Sequence, residues 1–335
     1  MKNNIFFDDI IFDLQNFGGI SEYWRQLSNS SLLKEQFNIE RFGRLENPSS
    51  TNKSLAKFSS CNIAGKVGSI FHSSYYRLPS KKMPTIVTVH DFIYEKRSAG
   101  LTRRINSYQI RKSIRRADAI VCVSNSTKND LLELMPNIDE KRISVVYHGV
   151  DHMVFNNSKD IESDYLKYSD CVVFVGNRGG YKNFKLAIAA LGKRKDLRLL
   201  IVGEKIGQEE GRELDKALGH RWLSLHAISN KDLAEVYKHC FCLLYPSDYE
   251  GFGMPLLEAM ASGCPVITSG AEALLEVGGR ASLKSDNKDL DSYLYNFERI
   301  LADRDVIIES GLEHAKKFHW DLTATQMLKI YENYV

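Results

Sequence analysis

No CxxC pair occurs in this sequence, and its six cysteines (Cys61, Cys122, Cys171, Cys240, Cys242, Cys264) fall mostly inside or beside apolar runs. Buried reduced thiols are the expectation, ahead of disulfides or metal ligands. The nine histidines are too scattered to suggest a zinc site. No run approaches the ~20 apolar residues that span a bilayer. The start, MKNNIFFDDIIFDLQ, sets Asp8, Asp9 and Asp13 among its apolar residues, so it cannot serve as the uninterrupted apolar region of a signal peptide. A soluble, cytoplasmic protein is expected. There is no internal repeat, no low-complexity tract, no P-loop spacing and no GxGxxG fingerprint.

What is present is ordinary globular composition, 43% hydrophobic and 26% charged over 335 residues, a length suited to two domains of roughly 150 residues each. The net charge of +3 is unremarkable, but its distribution is uneven. From Glu95 to Ala119 the chain carries Lys96, Arg97, Arg103, Arg104, Arg111, Lys112, Arg115 and Arg116 against Glu95 and Asp118. Most of this segment is expected to be one helix, with Ile105, Tyr108, Ile110 and Ile114 available for packing. A solvated basic face is one reading; attraction to anionic lipid head groups or to a polyanionic acceptor is the other. Nucleic-acid binding is not expected, because no binding motif accompanies the charge.

Short apolar, β-branched segments alternate with helical patterns along the whole chain. Strands are expected at NIFF, IERF, SIFH, TIVTV, AIVCV and ISVVY, then at CVVFV, LRLLIV, WLSLH, FCLLY and PVITS. Helices are expected over 20–31, 102–117, 128–134, 184–192, 209–218, 231–239 and 255–262. This alternation implies parallel sheets covered on both faces, hence doubly wound α/β domains. The polar, turn-rich stretch HGVDHMVFNNSKDIESDYLKYSD places the break. The expected division is 1–156, a linker 157–169, a second domain 170–318, and a last helical segment 319–335 free to cross back to the first domain.

Ligands of open parallel sheets bind outside the carboxyl ends of the strands, so residues just after strands matter most. After CVVFVG comes NRGGYKNF, where Arg178 and Lys182 flank a Gly-rich turn at a helix start. Backbone amides, the helix dipole and two cations together make a phosphate site; a turn whose cations point into water is the plainer alternative. After FCLLY comes PSDYEGFGMPLLEAMASGCPVI, in which Pro255 suits a helix start and Gly263 its end. The amides around Gly253 and Met254 then face the strand ends. Glu250 in the loop and Glu258 on the helix are acceptors suited to sugar or ribose hydroxyls, although Glu258 can equally be read as helix-dipole stabilisation. Gly18 and Gly19 precede a helix in FGGISEYW, as an anion site or a plain tight turn. His90 and Asp91 end TIVTVHD; His90 suits a sugar hydroxyl or proton transfer, or a structural link. In CVSNST, capping of the next helix by Ser124, Asn125 or Ser126 is the leading reading.

Taken in order, FGGISEYW, TVHDF, CVSNST, HGVD, FVGNRGGYKN and PSDYEGFGMPLLEAMASGCPVI span most of the chain, and the sequence resembles the retaining GT-B glycosyltransferases of family 4, which include sucrose synthases and many bacterial lipopolysaccharide and capsule enzymes. The resemblance implies two Rossmann-like domains facing across a cleft, the first binding acceptor and the second binding the nucleotide sugar. It implies that Arg178 and Lys182 neutralise the donor diphosphate, that Glu258 holds the ribose, and that Glu250 contacts the donor sugar. It puts His90 near the reacting region and Gly18 and Gly19 near the diphosphate and acceptor. Gly251, Phe252, Gly253, Met254 and Pro255 complete the donor loop. No cofactor and no metal are implied. Where the family often carries a Leu-Pro-Glu-like element after PVIT, this chain has SGAEALLEVGG. The expected activity is hexosyl transfer, mannose-type favoured, from a GDP-sugar, or next a UDP-sugar, to a surface glycan such as a polyprenyl-diphosphate-linked oligosaccharide. The expected setting is the cytoplasm with peripheral contact to anionic membrane. A nucleotide-sugar epimerase or hydrolase and a noncatalytic sugar-binding protein are the alternatives; a dinucleotide-dependent oxidoreductase lacks its fingerprint.

Overall fold

A computed structural model of the chain describes residues 2–15, 18–43, 56–63, 68–97, 100–156 and 164–335. It divides into two compact units, Met1–Gly149 with Trp320–Val335, and Val150–His319. Most of the segment expected as a linker, 157–163, lies outside the described residues.

The first unit holds six strands: β1 (Asn4–Asp8), β2 (Asn38–Phe42), β3 (Ile70–Ser73), β4 (Thr85–Val89), β5 (Ala119–Cys122) and β6 (Ile143–Val145). Their order is β2-β1-β3-β4-β5-β6, and every pairing is parallel. The four central strands are buried at every position, while β2 and β6 at the edges are partly exposed. That contrast is what runs of apolar residues covered on both faces produce. The covering helices are α1 (Ile10–Leu14), α2 (Gly19–Asn29), α3 (Ser31–Gln36), α4 (Ile93–Arg97), α5 (Gly100–Arg116) and α6 (Asn125–Leu134). Ser124 caps α6, its hydroxyl accepting from the Thr127 amide at 3.0 Å. In α5, Ile110 and Ile114 pack inward, but Ile105 and Tyr108, expected to pack as well, are exposed.

The second unit begins with α7 (His152–Phe155) and continues β7 (Cys171–Val175), α8 (Phe184–Lys193), β8 (Arg198–Val202), α9 (Gln208–Leu218), β9 (Trp222–Leu225), α10 (Asn230–His239), β10 (Cys242–Tyr245), α11 (Met254–Ala261), β11 (Val266–Thr268), α12 (Glu272–Gly278), β12 (Leu283–Lys284) and α13 (Leu290–Ala315). Its all-parallel sheet runs β12-β11-β10-β7-β8-β9. Val172, Phe174, Leu199, Ile201 and Leu244 of the strands pack with Phe297 and Ile300 of α13 in one core.

The final helix, α14 (Trp320–Glu332), belongs to the first unit. Its Met327 and Tyr331 are fully buried in the core with Phe7, Trp24 and Val121, and the Tyr331 hydroxyl meets His72 Nδ1 at 2.7 Å. The division falls at Gly149/Val150 rather than at 156. The reason is packing: Val150 N donates to Phe318 O at 3.2 Å, and the Phe155 ring lies 6.5 Å from Tyr237, so this short stretch is tied into the second unit. All six cysteines are free and buried. Among the described residues no helix is long and apolar enough to cross a membrane.

Candidate functional site

Each sheet has a point where chain order reverses direction, between β1 and β3 in the first unit and between β7 and β10 in the second. Loops leaving the carboxyl ends of two such strands diverge to opposite faces, and the crevice they leave is where open α/β sheets hold ligands. The residues after β7 and after β10 are the two motifs that carry most of the sequence signal.

The loop after β7 leaves through Gly176 at φ 111, makes a 3-10 turn at Gly180–Lys182, and enters α8 through Asn183 in the left-handed region at φ 53. It is latched to the loop after β10. The Asn183 side-chain amide donates to Pro246 O at 2.9 Å, and Asp248 N donates to Tyr181 O at 2.7 Å. Across this latch Lys182 Nζ lies 2.5 Å from Glu250 Oε1 and 2.6 Å from the Tyr245 hydroxyl. The ammonium also sits 4.7 Å from the Tyr245 ring centroid. Lys182 and Glu250 side chains are only 10% and 15% exposed, so the pair is strongly coupled. Burial raises the Tyr245 phenol well above its ordinary pKa, and the Glu250 carboxylate adds to this. Tyr245 therefore stays protonated and acts as a hydrogen-bonding partner.

Glu258 is close enough for its charge to raise the pKa values of buried Tyr237 and Tyr245, after burial as the leading cause. It occupies the second turn of α11, whose first turn contains no acidic residue. The helix-dipole reading of Glu258 therefore loses its basis, since that effect fades beyond the first turn. Gly253 is the N-cap of α11 at φ 105, and a Cβ there would come within 2.7 Å of Leu274 Cδ2. Met254 and then Pro255 open the helix, so Pro255 is second rather than first. Gly251, Phe252 and Met254 are buried, and the Phe252 ring packs on Phe318 at 6.2 Å. What this loop offers a ligand is backbone.

Arg178 is placed differently from Lys182. Its guanidinium pairs with both carboxylate oxygens of Glu210 on α9 and donates to Glu204 O at 2.9 Å and Lys205 O at 3.3 Å. The two cations four residues apart thus serve two loops, Lys182 that after β10 and Arg178 that after β8. A close backbone approach accounts for the second: a Cβ on Gly203 would meet Gly176 O at 2.5 Å. Only glycine lets these two loops touch, and Arg178 then reaches the carbonyls that follow Gly203. Tyr245, Glu210 and Gly203 were not singled out in the sequence. Tyr245 had a usable signal, a hydroxyl-bearing ring at the carboxyl end of a buried strand. Glu210 had none beyond an acidic first turn.

In the first unit Gly18 is the N-cap of α2 at φ 138, a position where a Cβ would collide with Gln15, and Gly19 is the first helical residue. This loop follows β1, at that sheet's own switch point. Beneath it Asp8, the last residue of β1, is buried against Arg77, with Arg77 Nη2 at 2.6 Å from Asp8 Oδ1 and 3.2 Å from Gly43 O. His90 follows β4, its ring 5.2 Å from Tyr23 and 5.6 Å from His148. Burial pushes His90 down to about 3, and its Nε2 has no hydrogen-bond partner among the described residues. A neutral imidazole can exchange a hydrogen bond with a hydroxyl, but it holds no proton to give as an acid near neutral pH. Among the described residues no group of three or more His, Cys, Asp or Glu is placed to hold a metal ion.

Comparison with known proteins bears on the family and the fold. Residues 159–314 match the family of glycosyl transferases group 1, and residues 68–153 match Glycosyltransferase Family 4. O-antigen chain mannosyltransferase B of Escherichia coli is 26% identical over 293 residues, 78% of this chain and 74% of that protein. O-antigen chain mannosyltransferase RfbU of Salmonella typhimurium is 28% identical over 238 residues, 68% of this chain and 64% of that protein. Among solved structures, sucrose-phosphate synthase of Thermosynechococcus elongatus matches with a TM-score of 0.78 at 19% identity, covering 99% of both chains.

Proposed function

We propose, from the premise that this chain belongs to the family 4 glycosyltransferases of group 1 and has the GT-B fold, that it moves a hexosyl unit from a nucleoside-diphosphate sugar to a hydroxyl of a growing surface glycan, with anomeric configuration retained. The observation that carries the reading is the contact of Lys182 with Glu250 and Tyr245 at the β7/β10 switch point. A cation for the diphosphate and a carboxylate for the sugar stand side by side where such sheets bind nucleotides. The two O-antigen relatives are mannosyltransferases by name, which supports a GDP-linked mannose-type donor, with a UDP-hexose next.

In this reading the second unit binds the donor and the first binds the acceptor. The bond from the anomeric carbon to the diphosphate oxygen breaks, the bond to the acceptor oxygen forms on the same face, and the acceptor's proton passes to the departing diphosphate. Charge builds on that diphosphate, so Lys182, Arg178 and the backbone amides from Gly251 to Met254 stabilise it without reorganising water. Arg178 exchanges Glu210 for phosphate oxygens as the donor enters. Glu250 positions the sugar and offsets its developing positive charge, Glu258 accepts from the ribose hydroxyls, and His90 hydrogen-bonds a hydroxyl near the reacting carbon. Gly18 and Gly19 let backbone approach the diphosphate and acceptor closely. The exposed side of α5, where Ile105 and Tyr108 stand with Lys112, Arg115 and Arg116, suits peripheral contact with an anionic membrane carrying a polyprenyl-diphosphate-linked acceptor.

A thermal-shift screen with GDP-, UDP-, dTDP- and ADP-sugars tests the donor. A GDP-sugar is expected to give the largest upward shift, reduced in Glu258→Ala. Failure of all four to stabilise the chain, or complete donor turnover without an acceptor, refutes the transferase reading.

A further inference from the structure

Tyr245 closes strand β10 and touches both charged groups of the cluster at the switch point. Its hydroxyl lies 2.6 Å from Lys182 Nζ, and the Glu250 carboxylate is its other hydrogen-bond partner. An ammonium only donates, so the phenol accepts from Lys182 and directs its own proton to Glu250. The ring is buried in the core, and β10 holds Tyr245 in register with Thr268 of β11. Phenylalanine would fill the same space with no polar group to desolvate. What the hydroxyl adds is therefore confined to its two charged partners.

These three groups cannot keep their arrangement once a diphosphate arrives. Lys182 carries a single charge, held by Glu250 at 2.5 Å. Turning it to phosphate oxygens takes that partner from a carboxylate only 15% exposed, and a poorly solvated carboxylate without donors is costly. The two partners of Glu250 differ in freedom to move. The ammonium ends a flexible four-carbon stem and lies over two rings, 5.5 Å from the centroid of Tyr181 and 4.7 Å from that of Tyr245. It can shift across these faces while keeping a cation–π contact. The Tyr245 hydroxyl is carried on a rigid ring locked in the core, so it stays beside Glu250.

We propose that Tyr245 is a positioning residue: its hydroxyl keeps Glu250 hydrogen-bonded and aimed at the donor sugar while Lys182 turns from Glu250 to the diphosphate. The catalytic consequence rests on the glycosyltransferase reading; the coupling of the three side chains does not. Scanning fluorimetry of the full chain tests the coupling without any ligand. In Lys182→Ala the carboxylate has lost its ammonium, as it does when the lysine serves phosphate. Tyr245→Phe is therefore expected to lower Tm about 3–6 °C more in that background than in the parent, a tenfold step in the folding equilibrium for a unit of this size. Adding Glu250→Ala should abolish the excess, since no carboxylate is left to hold. A hydroxyl that merely belongs to the core lowers Tm equally in all three backgrounds, and that result overturns the inference.

Rates with GDP-mannose as donor and octyl α-mannoside as acceptor test the consequence. Tyr245→Phe is expected to lower kcat about tenfold or more, with the donor KM within about threefold of the parent, because the ammonium and both rings remain to bind phosphate. An unchanged kcat, or loss of the donor-induced thermal shift in Tyr245→Phe, overturns the positioning role. A parent chain inactive on this pair, with no thermal shift from any nucleotide sugar, refutes the glycosyltransferase reading instead, and the three Tm comparisons still decide whether Tyr245 holds Glu250.

Discussion

Replacing Lys182 by alanine should have two consequences that one double variant can separate. In the folded chain Lys182 Nζ is the partner of Glu250 at 2.5 Å and of the Tyr245 hydroxyl at 2.6 Å. Both charged side chains are almost withdrawn from water, so Lys182→Ala leaves a carboxylate uncompensated in a poorly solvated site. Breaking such a pair from one side costs about 3–5 kcal/mol at full burial. The residual exposure of 10% and 15% places the estimate at the lower end, about 3 kcal/mol, or a fall in Tm of roughly 6–12 °C for a unit of this size. Removing both partners in Lys182→Ala/Glu250→Ala leaves no orphaned charge, so most of that stability should return. On the proposed function activity should not return, because the cation assigned to the departing diphosphate is still missing; its loss is expected to cost about 100-fold or more in turnover. Differential scanning fluorimetry with and without donor, beside nucleotide-release rates for the parent, both single variants and the double variant, gives both quantities. The reasoning is refuted if the double variant is less stable than Lys182→Ala, or if Lys182→Ala keeps the parent's donor-induced shift and rate.

Three further outcomes follow from the geometry. Asp8→Asn removes the charge that compensates buried Arg77 and should lower the denaturant-derived stability by about 3–5 kcal/mol, whereas Asp8→Asn combined with Arg77→Met should recover much of it. His90 titrates near 3 in the folded chain, and burial also holds His72 and His148 well below the ordinary range. Unfolded histidines take up protons near pH 6.5, so the unfolded state binds more protons below that pH. Stability should be full above about 6.5 and fall on acidification by about 1.4 kcal/mol per pH unit for each such histidine, and chemical denaturation between pH 7 and 5 should show it; a flat profile contradicts the burial. Gly253→Ala forces a side chain onto φ 105 and against Leu274, which should cost about 1–3 kcal/mol and displace the amides that open α11; an unchanged Tm contradicts it.

Eleven of the twelve strands were legible because each is a run such as CVVFV or TIVTV, and a buried parallel strand needs nothing more local than that. The twelfth, β12, is two residues long and leaves no pattern. The long helix α13 went unassigned even though Tyr293, Phe297, Ile300, Ile307 and Gly311 carry a helical period. Its phase is interrupted where Asp303 leaves helical geometry at φ −124, and acidic and basic residues crowd the break. The motif residues Lys182 and Glu250 could be placed in the loops after strands, and Glu258 on the helix that follows, from the motifs alone, and the glycines at 18 and 253 from the turns that need them.

The pairings were another matter. Nothing along the chain joins Lys182 to Tyr245, sixty-three positions away; the adjacency of β7 and β10 does. Nothing local sends Arg178 to Glu210 rather than to the neighbourhood of Lys182; the contact of Gly203 with Gly176 does. The sequence by itself determined which segments are strands and helices, which turns need glycine, and which side chains stand at strand ends, because burial period and backbone sterics act within a few residues. Tertiary structure alone decided which charges meet, because a hydrogen bond between loops depends on strand order, and strand order is set by packing the whole sheet rather than by any stretch of it.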